Sequence, residues 1–266
     1  MVILKIFLKK NKLNQKKCME KVEIFGIKVD NLNTREFIEK IFDQKHLNGP
    51  KVIFYINANT VNIAFKDKEF KDILNKASIV YTDGFGVVFA SKILGRPLKE
   101  RVNAADFFDE FCKKCIDFDK GIYFLGGRQK MLEDLYINLK NRYSYLRILG
   151  IKNGHTPQDE EKDIINEINK LRPNILIVGL GSPKQEFFIF KHLPSLEVET
   201  IWTVGGLFNL LSGKIKRAPL LMRRLGLEWL FRLFQEPTRL WRRYLIGNFI
   251  FIYRVAKELI KECLKI

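Results

Sequence analysis

The sequence predicts an α/β fold with a Rossmann-like, doubly wound and mostly parallel sheet, followed by a basic helical appendage at the C-terminal end. Short runs rich in Val, Ile, Phe and Tyr alternate with amphipathic helical patterns, as βα units do. Several runs are apolar at successive positions, which is expected of strands covered on both faces of a sheet. Many of them end in Gly or Asp, residues favoured in turns between a strand and a helix.

The predicted elements follow one another in regular order. The opening segment VEIFGIKVD fits a small antiparallel or edge element. The predicted strands cover residues 51–57, 79–82, 121–125, 146–151, 174–180 and 200–204. The predicted helices cover residues 34–45, 60–77, 85–94, 104–118, 129–142, 158–171 and 184–192. Beyond residue 213 the strand pattern stops, and we expect two or three helices, with Pro219 and Pro237 near helix starts.

Positive charge is concentrated at the two ends of this 266-residue chain, whose net charge is +17. Residues 1–21 carry seven lysines and one glutamate, and residues 214–266 carry thirteen Lys and Arg against four Glu. We therefore divide the chain into a basic N-terminal extension (1–21), a near-neutral body (22–213) and a helical appendage (214–266). The basic ends favour a polyanionic partner, either nucleic acid or an anionic membrane face.

The appendage has the composition of a helix that lies on a membrane. Trp241, Tyr244, Phe249 and Phe251 belong to a pattern with aromatic and aliphatic residues on one side and Arg and Lys on the other, which is typical of an interfacial helix. The alternative is a basic bundle packed on its own body with a solvated charged face. The longest uncharged run, residues 200–213, is too short to span a bilayer, and MVILKIFLKK lacks the apolar segment of a secretory signal.

The cysteines favour a structural interpretation. Cys112 and Cys115 form a C-x-x-C pair, which redox and zinc sites also use. No second pair exists and the three histidines are distant in sequence, so we expect two semi-buried side chains on a helix. This usage is typical of a reducing cytosol.

Four predicted strands end in small or acidic residues, in the segments YTDGFG, FLGG, VGLGSPKQE and TVGG. In open α/β sheets, ligands bind outside the carboxyl ends of strands, and N–H groups at helix starts favour anions. One such segment is equally typical of an ordinary turn. Four on one edge predict a phosphate-bearing ligand. No Gly-x-Gly-x-x-Gly fingerprint and no phosphate-loop motif is present, so we expect a nucleotide that is held in another way.

Five segments together resemble a known family. TDGFGVVFASKILGRPLKERV, GIYFLGG, VGLGSPKQE, TVGGLFNLLSGKIKRAP and GLEWLFRLFQEPTRLWRR resemble, in order, the WecG/TagA/CpsF family of bacterial glycosyltransferases, from about Val22 to about Ile250. The resemblance implies an inverting transfer of an N-acetylated amino sugar, typically N-acetylmannosamine, from UDP to a polyprenyl-diphosphate-linked GlcNAc. Such transfers serve wall teichoic acid, enterobacterial common antigen or capsule-type glycans. The resemblance implies no cofactor and no bound divalent metal.

The resemblance also implies roles for individual residues. Asp83 matches the proposed catalytic aspartate, which deprotonates the acceptor hydroxyl, although Asp in this position is also a common helix N-cap. Gln185 is the second expected catalytic position and holds the donor sugar or the acceptor. Other expected substrate-binding residues are Asn57, Tyr55, Thr82, Arg101, Asn103, Asp106, Gly126, Gly127, Gly181, Lys184, Glu186, Gly205 and Gly206. The expected lipid-diphosphate ligands are Arg232, Arg239 and Arg242, whose guanidinium groups match phosphate oxygens.

Some positions depart from the family pattern. Tyr55 stands where relatives carry a small hydroxyl residue, which leaves the donor sugar open. Ala104 or Ala105 replaces a usual glycine, and His155 lies in a segment that departs from the family's, so we give it no catalytic role.

The expected partners are a UDP-activated amino sugar, a polyprenyl-diphosphate-linked sugar and an anionic membrane surface, with self-association left open. The expected location is peripheral, on the cytoplasmic face of the bacterial membrane. A nucleic-acid-associated Rossmann-type binding protein is the alternative, because its basic ends would suit a polyanion. That alternative does not explain the strand ends, so we expect no nucleic acid partner.

Overall fold

A computed structural model of the protein describes residues 20–43, 49–154 and 157–264. Almost all of the predicted N-terminal extension, and His155, lie outside the described residues. Two strands, β1 (Lys21–Ile24) and β2 (Ile27–Asp30), form an antiparallel hairpin, which confirms the predicted opening element.

Six further strands form one parallel sheet. They are β3 (Lys51–Ile56), β4 (Ile79–Thr82), β5 (Ile122–Leu125), β6 (Ile148–Lys152), β7 (Ile175–Val178) and β8 (Thr200–Thr203). Their spatial order is β4-β3-β8-β7-β5-β6, and every pairing is parallel. The predicted Rossmann-like α/β class is confirmed.

Helices cover both faces of this sheet. In chain order they are α1 (Thr34–Phe42), α2 (Ala58–Lys66), α3 (Lys68–Lys76), α4 (Phe85–Ile93), α5 (Ala104–Asp117), α6 (Gln129–Arg142), α7 (Glu161–Leu171), α8 (Lys184–His192) and α9 (Leu207–Leu211). The prediction of one helix over 60–77 is wrong. Asp67 has an extended backbone (φ −125°, ψ 106°), and its side chain accepts a hydrogen bond from the Phe70 N–H at 2.9 Å, which starts a new helix.

The described part of the appendage is helical from Leu220 to Leu264, apart from short breaks, and residues 214–219 form no helix. It contains α10 (Leu220–Arg224), α11 (Glu228–Gln235), α12 (Pro237–Trp241), a π-helical segment (Arg242–Ile246) and α13 (Gly247–Leu264). The expected two or three helices were too few, because the chain breaks at Gly226, which has φ +74°, and again before Pro237. Pro219 and Pro237 stand at helix starts as predicted.

Alternate strand residues enter two separate cores. Phe54 and Val80 pack with α2, α3, α4, α7, α8 and α13 on one face, and Ile53 and Tyr81 pack with α1, α5, α6 and α9 on the other. The turn after β3 therefore leads to a helix on the first face, and the turn after the neighbouring β8 leads to the second face. In a parallel sheet, such a change of side opens a crevice at the carboxyl ends of the two strands.

The predicted cysteine pair has a clear place in this fold. Cys112 and Cys115 are fully buried in the core that contains α5, and burial raises the pKa of both thiols far above its ordinary value. Their structural interpretation is confirmed.

Helix α13 packs against α2, where Asn62 Nδ2 donates to the Gly247 carbonyl oxygen at 2.7 Å and Arg254 Nη1 donates to Asn62 Oδ1 at 2.7 Å.

Candidate active site

Asp83 lies directly after β4, at the edge of the crevice. Its backbone N–H donates to the Ile56 carbonyl at 3.0 Å, which ties it to the end of β3. Gly84 makes the N-cap of α4 without any side-chain hydrogen bond, so Asp83 does not serve as the cap. A Cβ on Gly84 would lie 2.9 Å from Asn57 Cβ, and glycine is therefore what lets the turns after β3 and β4 approach each other.

The Asp83 carboxyl is poised for proton transfer. Its Oδ1 atom is buried and has no hydrogen-bond partner among the described residues. Burial raises the pKa of this carboxyl to about 7, against the lowering effect of the positive charges on Arg101, Arg232 and Arg243. The negative charge of Glu228 raises the pKa further. A carboxyl with a pKa near neutrality is well matched to act as a general base.

The side chain of Tyr55, on β3, reaches the turns that follow β7 and β8. Its hydroxyl lies 3.4 Å from Ser182 Oγ, and burial raises its pKa to about 12. A Cβ on Gly205, which has φ +53°, would lie 2.4 Å from the same hydroxyl. The tyrosine therefore occupies space that only a glycine after β8 leaves open.

The loop after β7 is braced from within by Gln185 and Glu186, both fully buried. Gln185 Oε1 accepts from the Gly181 N–H at 3.2 Å, and Gln185 Nε2 donates to Ser182 Oγ at 3.2 Å and to Glu186 Oε1 at 2.9 Å. Glu186 Oε2 is buried without a hydrogen-bond partner among the described residues, and burial raises the pKa of this carboxyl. With both of its amide atoms engaged inside the loop, Gln185 is placed to position backbone rather than to contact substrate directly.

Asp106 collects arginines from the body and the appendage. Its carboxylate oxygens lie 2.9 Å from Arg101 Nη2 and 3.1 Å from Arg223 Nη1, and they also pair with Arg217. The second terminal nitrogen of Arg101, Nη1, lies 3.1 Å from Glu228 Oε2. We call these five residues the docking cluster. Arg101 and Asp106, both expected to bind substrate, thus join α5 to α10 and α11.

The appendage also presents arginines with unused donors. Arg232 Nη2 donates to the Gly206 carbonyl at 3.3 Å, but its Nε is buried without a partner in the described chain. Arg243 Nε is likewise buried and unpartnered among the described residues. By contrast, Arg239 pairs with Glu236, and the exposed Arg242 lies over the Trp241 ring at 5.2 Å.

Arg243 is therefore a site residue that sequence reasoning missed. It lies in the π-helical segment, where the wider turn changes which side chain faces the body. No periodicity in the sequence reveals such a segment. Sequence reasoning missed three further residues, Glu228, Arg217 and Arg223, for a different reason. Each forms an ion pair with a residue that is distant in sequence, Arg101 or Asp106.

The remaining expected residues frame the crevice. Asn57 and Asn103 cap α2 and α5, and Thr82 Oγ1 donates to the Glu100 carbonyl at 3.2 Å. Lys184 Nζ donates to the Gly154 carbonyl at 3.0 Å. The glycine turns after β5 and β7 meet closely. A Cβ on Gly126 would lie 2.5 Å from the backbone of Gly179, and Gly127 and Gly181 have φ of +74° and +79°.

Two features of the described residues bear on metal binding and on membrane contact. No cluster of three His, Cys, Asp or Glu side chains there is arranged to hold a metal ion. The expectation that no metal is needed stays a prediction. None of the described helices is both long enough and apolar enough to cross a membrane.

A transferase that uses a nucleotide sugar needs a base for the acceptor and positive charge for the departing phosphates. This chain brings a buried carboxyl, Asp83, and guanidinium groups to the carboxyl edge of a Rossmann-like sheet, and it is a glycosyltransferase. Residues 22–263 match the profile of the Glycosyl transferase WecG/TagA/CpsF family, and the chain belongs to that family.

Two relatives show how far the similarity extends. The chain is 31% identical over 243 residues to an N-acetylglucosaminyldiphosphoundecaprenol N-acetyl-beta-D-mannosaminyltransferase of Staphylococcus aureus, covering 89% of this chain and 92% of the relative. A protein of the same name from Bacillus spizizenii is 31% identical over 203 residues, covering 75% and 77%. Nothing in these matches favours the nucleic-acid alternative.

Proposed function

We propose that the protein transfers N-acetylmannosamine, with inversion, from UDP to GlcNAc on a polyprenyl diphosphate. Support comes from the family and from the names of the two relatives. The observation that carries the proposal is the placement of Asp83, whose buried, unpartnered Oδ1 stands beside arginines at the mouth of the crevice.

The chemistry follows from that placement. Asp83 takes the proton of the acceptor hydroxyl as the oxygen attacks the anomeric carbon of the donor. The bond from that carbon to the UDP oxygen breaks, and negative charge develops on the departing diphosphate. Arg232 and Arg243 are placed to stabilise this charge or to hold the acceptor diphosphate, because the Nε donor of each is buried and has no partner among the described residues.

The neighbouring elements position these groups. Gln185 and Glu186 fix the loop Gly181–Ser182, and Tyr55 closes the floor beneath the donor sugar. Tyr55 is larger than the small hydroxyl residue expected there and leaves less room for the donor sugar. Asn57, Asn103 and Thr82 hold the backbone of the surrounding turns.

The appendage supplies the membrane contact. Trp241, Phe249 and Tyr253 are exposed on it, and Arg239 and Arg242 are exposed nearby. Exposed aromatics together with cations suit the headgroup region of an anionic leaflet. We place the protein on the cytoplasmic face of the membrane, where it adds a sugar to a lipid-linked precursor of a surface glycan.

A panel of UDP-sugars tests this function. Each is incubated with the protein and a short-chain lipid-diphosphate GlcNAc, and UDP release is followed. We expect release with UDP-N-acetylmannosamine and loss of about 10²-fold or more in Asp83→Asn. Release that is equally fast in Asp83→Asn, or absent with every sugar tested, would contradict the proposal.

A further inference from the structure

Helix α4 of the body carries an apolar stripe that the described fold covers only in part, at its first residue, where the Phe85 ring lies against Gly226. Phe85, Phe89 and Ile93 follow each other at four-residue spacing and are 46%, 58% and 40% exposed. At that spacing side chains share one face of a helix. The other side of α4, with Val87 and Ala90, enters the core, so the stripe faces away from the sheet. Exposed apolar groups at this density mark a contact surface.

Helix α13 runs beside α4 and carries exposed apolar residues of its own. A Cβ on Gly86 would lie 3.5 Å from the Phe251 ring, and Arg96, just beyond α4, forms an ion pair with Glu262. These contacts join the beginning of α4 to the first half of α13 and the end of α4 to its last turns, so the two helices run in the same direction. Exposed apolar residues of α13 are Phe249, Ile252 and Ile260. We call Phe85, Phe89, Ile93, Phe249, Ile252 and Ile260 the apolar face.

The charges around this face are basic. Lys92, Arg224 and Lys257 are exposed on α4, α10 and α13. The acidic groups of α13, Glu258 and Glu262, are each paired with a cation, Lys261 and Arg96. An apolar surface bordered by unneutralised Lys and Arg is complementary to acyl chains beneath anionic headgroups, and less so to a second basic copy of this chain.

We propose that the apolar face rests on an anionic lipid bilayer, so that the catalytic body itself, through α4, contacts the membrane together with the appendage. The membrane contact itself does not depend on the proposed function, but the role that we give it, bringing Asp83 to the lipid-linked acceptor, rests on that function. Asp83 lies two residues before Phe85, so a lipid-bound α4 holds the proposed base at headgroup level. A sugar on a membrane-anchored diphosphate is presented at that level.

Vesicle sedimentation tests the surface directly. The variant is Phe89→Ser with Ile93→Ser, and the matched control is Tyr136→Ser with Ile137→Ser. The control residues are 38% and 52% exposed on α6, which packs on the opposite face of the sheet. With vesicles of equal phosphatidylglycerol and phosphatidylcholine, we expect partitioning of the α4 variant to weaken about tenfold and the control to match wild type.

Activity gives a second arm. A short-chain soluble acceptor should be used equally by wild type and the α4 variant, while use of a long-chain polyprenyl acceptor in vesicles should fall with membrane binding. Unchanged sedimentation of the α4 variant overturns the proposal, as does a wild-type dimer that this variant dissociates without losing vesicle binding. If wild type transfers no sugar at all, the proposed function fails, and the sedimentation arm still decides the membrane contact.

Discussion

At the scale of single residues, the site places a carboxyl where its charge is costly. Asp83 holds its proton more tightly in the folded protein than in water, since burial raises its pKa from 3.8 to about 7. Its ionisation therefore opposes folding as pH rises through that range. A carboxyl held in this way is only partly ionised at neutral pH, and the positive charges of Arg101, Arg232 and Arg243 increase the ionised fraction by lowering its pKa.

The pH dependence of transfer follows from this carboxyl. Only the ionised form of Asp83 accepts a proton, so kcat/KM should fall about tenfold per pH unit below about pH 7. The measurement is UDP release between pH 5 and 9 with the short-chain acceptor, with stability checked at each pH. An acid limb near pH 4, the ordinary range of a solvated carboxyl, would show that Asp83 is not the group that limits the rate.

Arg243 Nε is buried, whereas the neighbouring Arg242 is exposed. Variants of the two residues therefore distinguish the effect of a positive charge near Asp83 from that of one at the surface. Arg243→Gln removes a positive charge that lowers the pKa of Asp83, so the acid limb should move to higher pH. It should also lower kcat/KM about 10- to 100-fold, the effect of losing a charge-assisted hydrogen bond to phosphate.

The adjacent Arg242→Gln is the control, since that side chain lies over Trp241 at the surface. We expect its acid limb to match wild type, with at most weaker membrane binding. If the two variants shift the limb equally, the inward placement of Arg243 is wrong.

At the scale of elements, sequence patterns located strands better than helix breaks. Buried parallel strands are apolar at consecutive positions, so all six were found within a few residues of their ends. The division at Asp67 was missed because the apolar spacing runs on through α2 and α3. The two helices are separated only by Asp67, which has an extended backbone and caps α3. The apolar spacing of the sequence does not show whether a single Asp continues a helix or caps a new one.

The cap at Asp67 has a measurable value. Asp67→Ala removes the acceptor for the Phe70 N–H and should cost about 1 kcal/mol of folding free energy. Asp72→Ala, at an exposed position within the same helix, is the matched control and should cost a few tenths of that. Urea denaturation at pH 7 compares them, and equal midpoints for the two variants would show that the cap carries no net stability.

At the scale of the whole molecule, the active site depends on two parts of the chain meeting. The strand pattern predicted the turn after β4, and the family resemblance singled out Asp83 within it. It did not predict which appendage arginines face the body, because that depends on how α10 to α13 dock. The docking cluster fixes this orientation: Asp106 on α5 holds Arg217 and Arg223, and Arg101 reaches Glu228 on α11.

Asp106→Asn should therefore loosen the appendage without unfolding the body. It removes the carboxylate that neutralises three guanidinium groups, which then repel one another at close range. We expect faster hydrogen exchange in residues 217–246 and lower kcat/KM, because Arg232 and Arg243 are then held less firmly beside Asp83. The main readout is exchange followed by peptide mass spectrometry, since it locates the loosened segment.

Asp109→Asn is the control for Asp106→Asn, because it removes an ion pair of α5 that does not involve the appendage. Asp109 lies on the same helix but pairs with Arg142 within the body. It should leave exchange in the appendage and the transfer rate unchanged, with a surface-pair cost of about 0.5 kcal/mol. High salt should narrow the difference between Asp106→Asn and wild type, because the docking cluster is partly exposed and its charges are screened. Protection of residues 217–246 that survives in Asp106→Asn at low salt would mean that apolar packing alone docks the appendage.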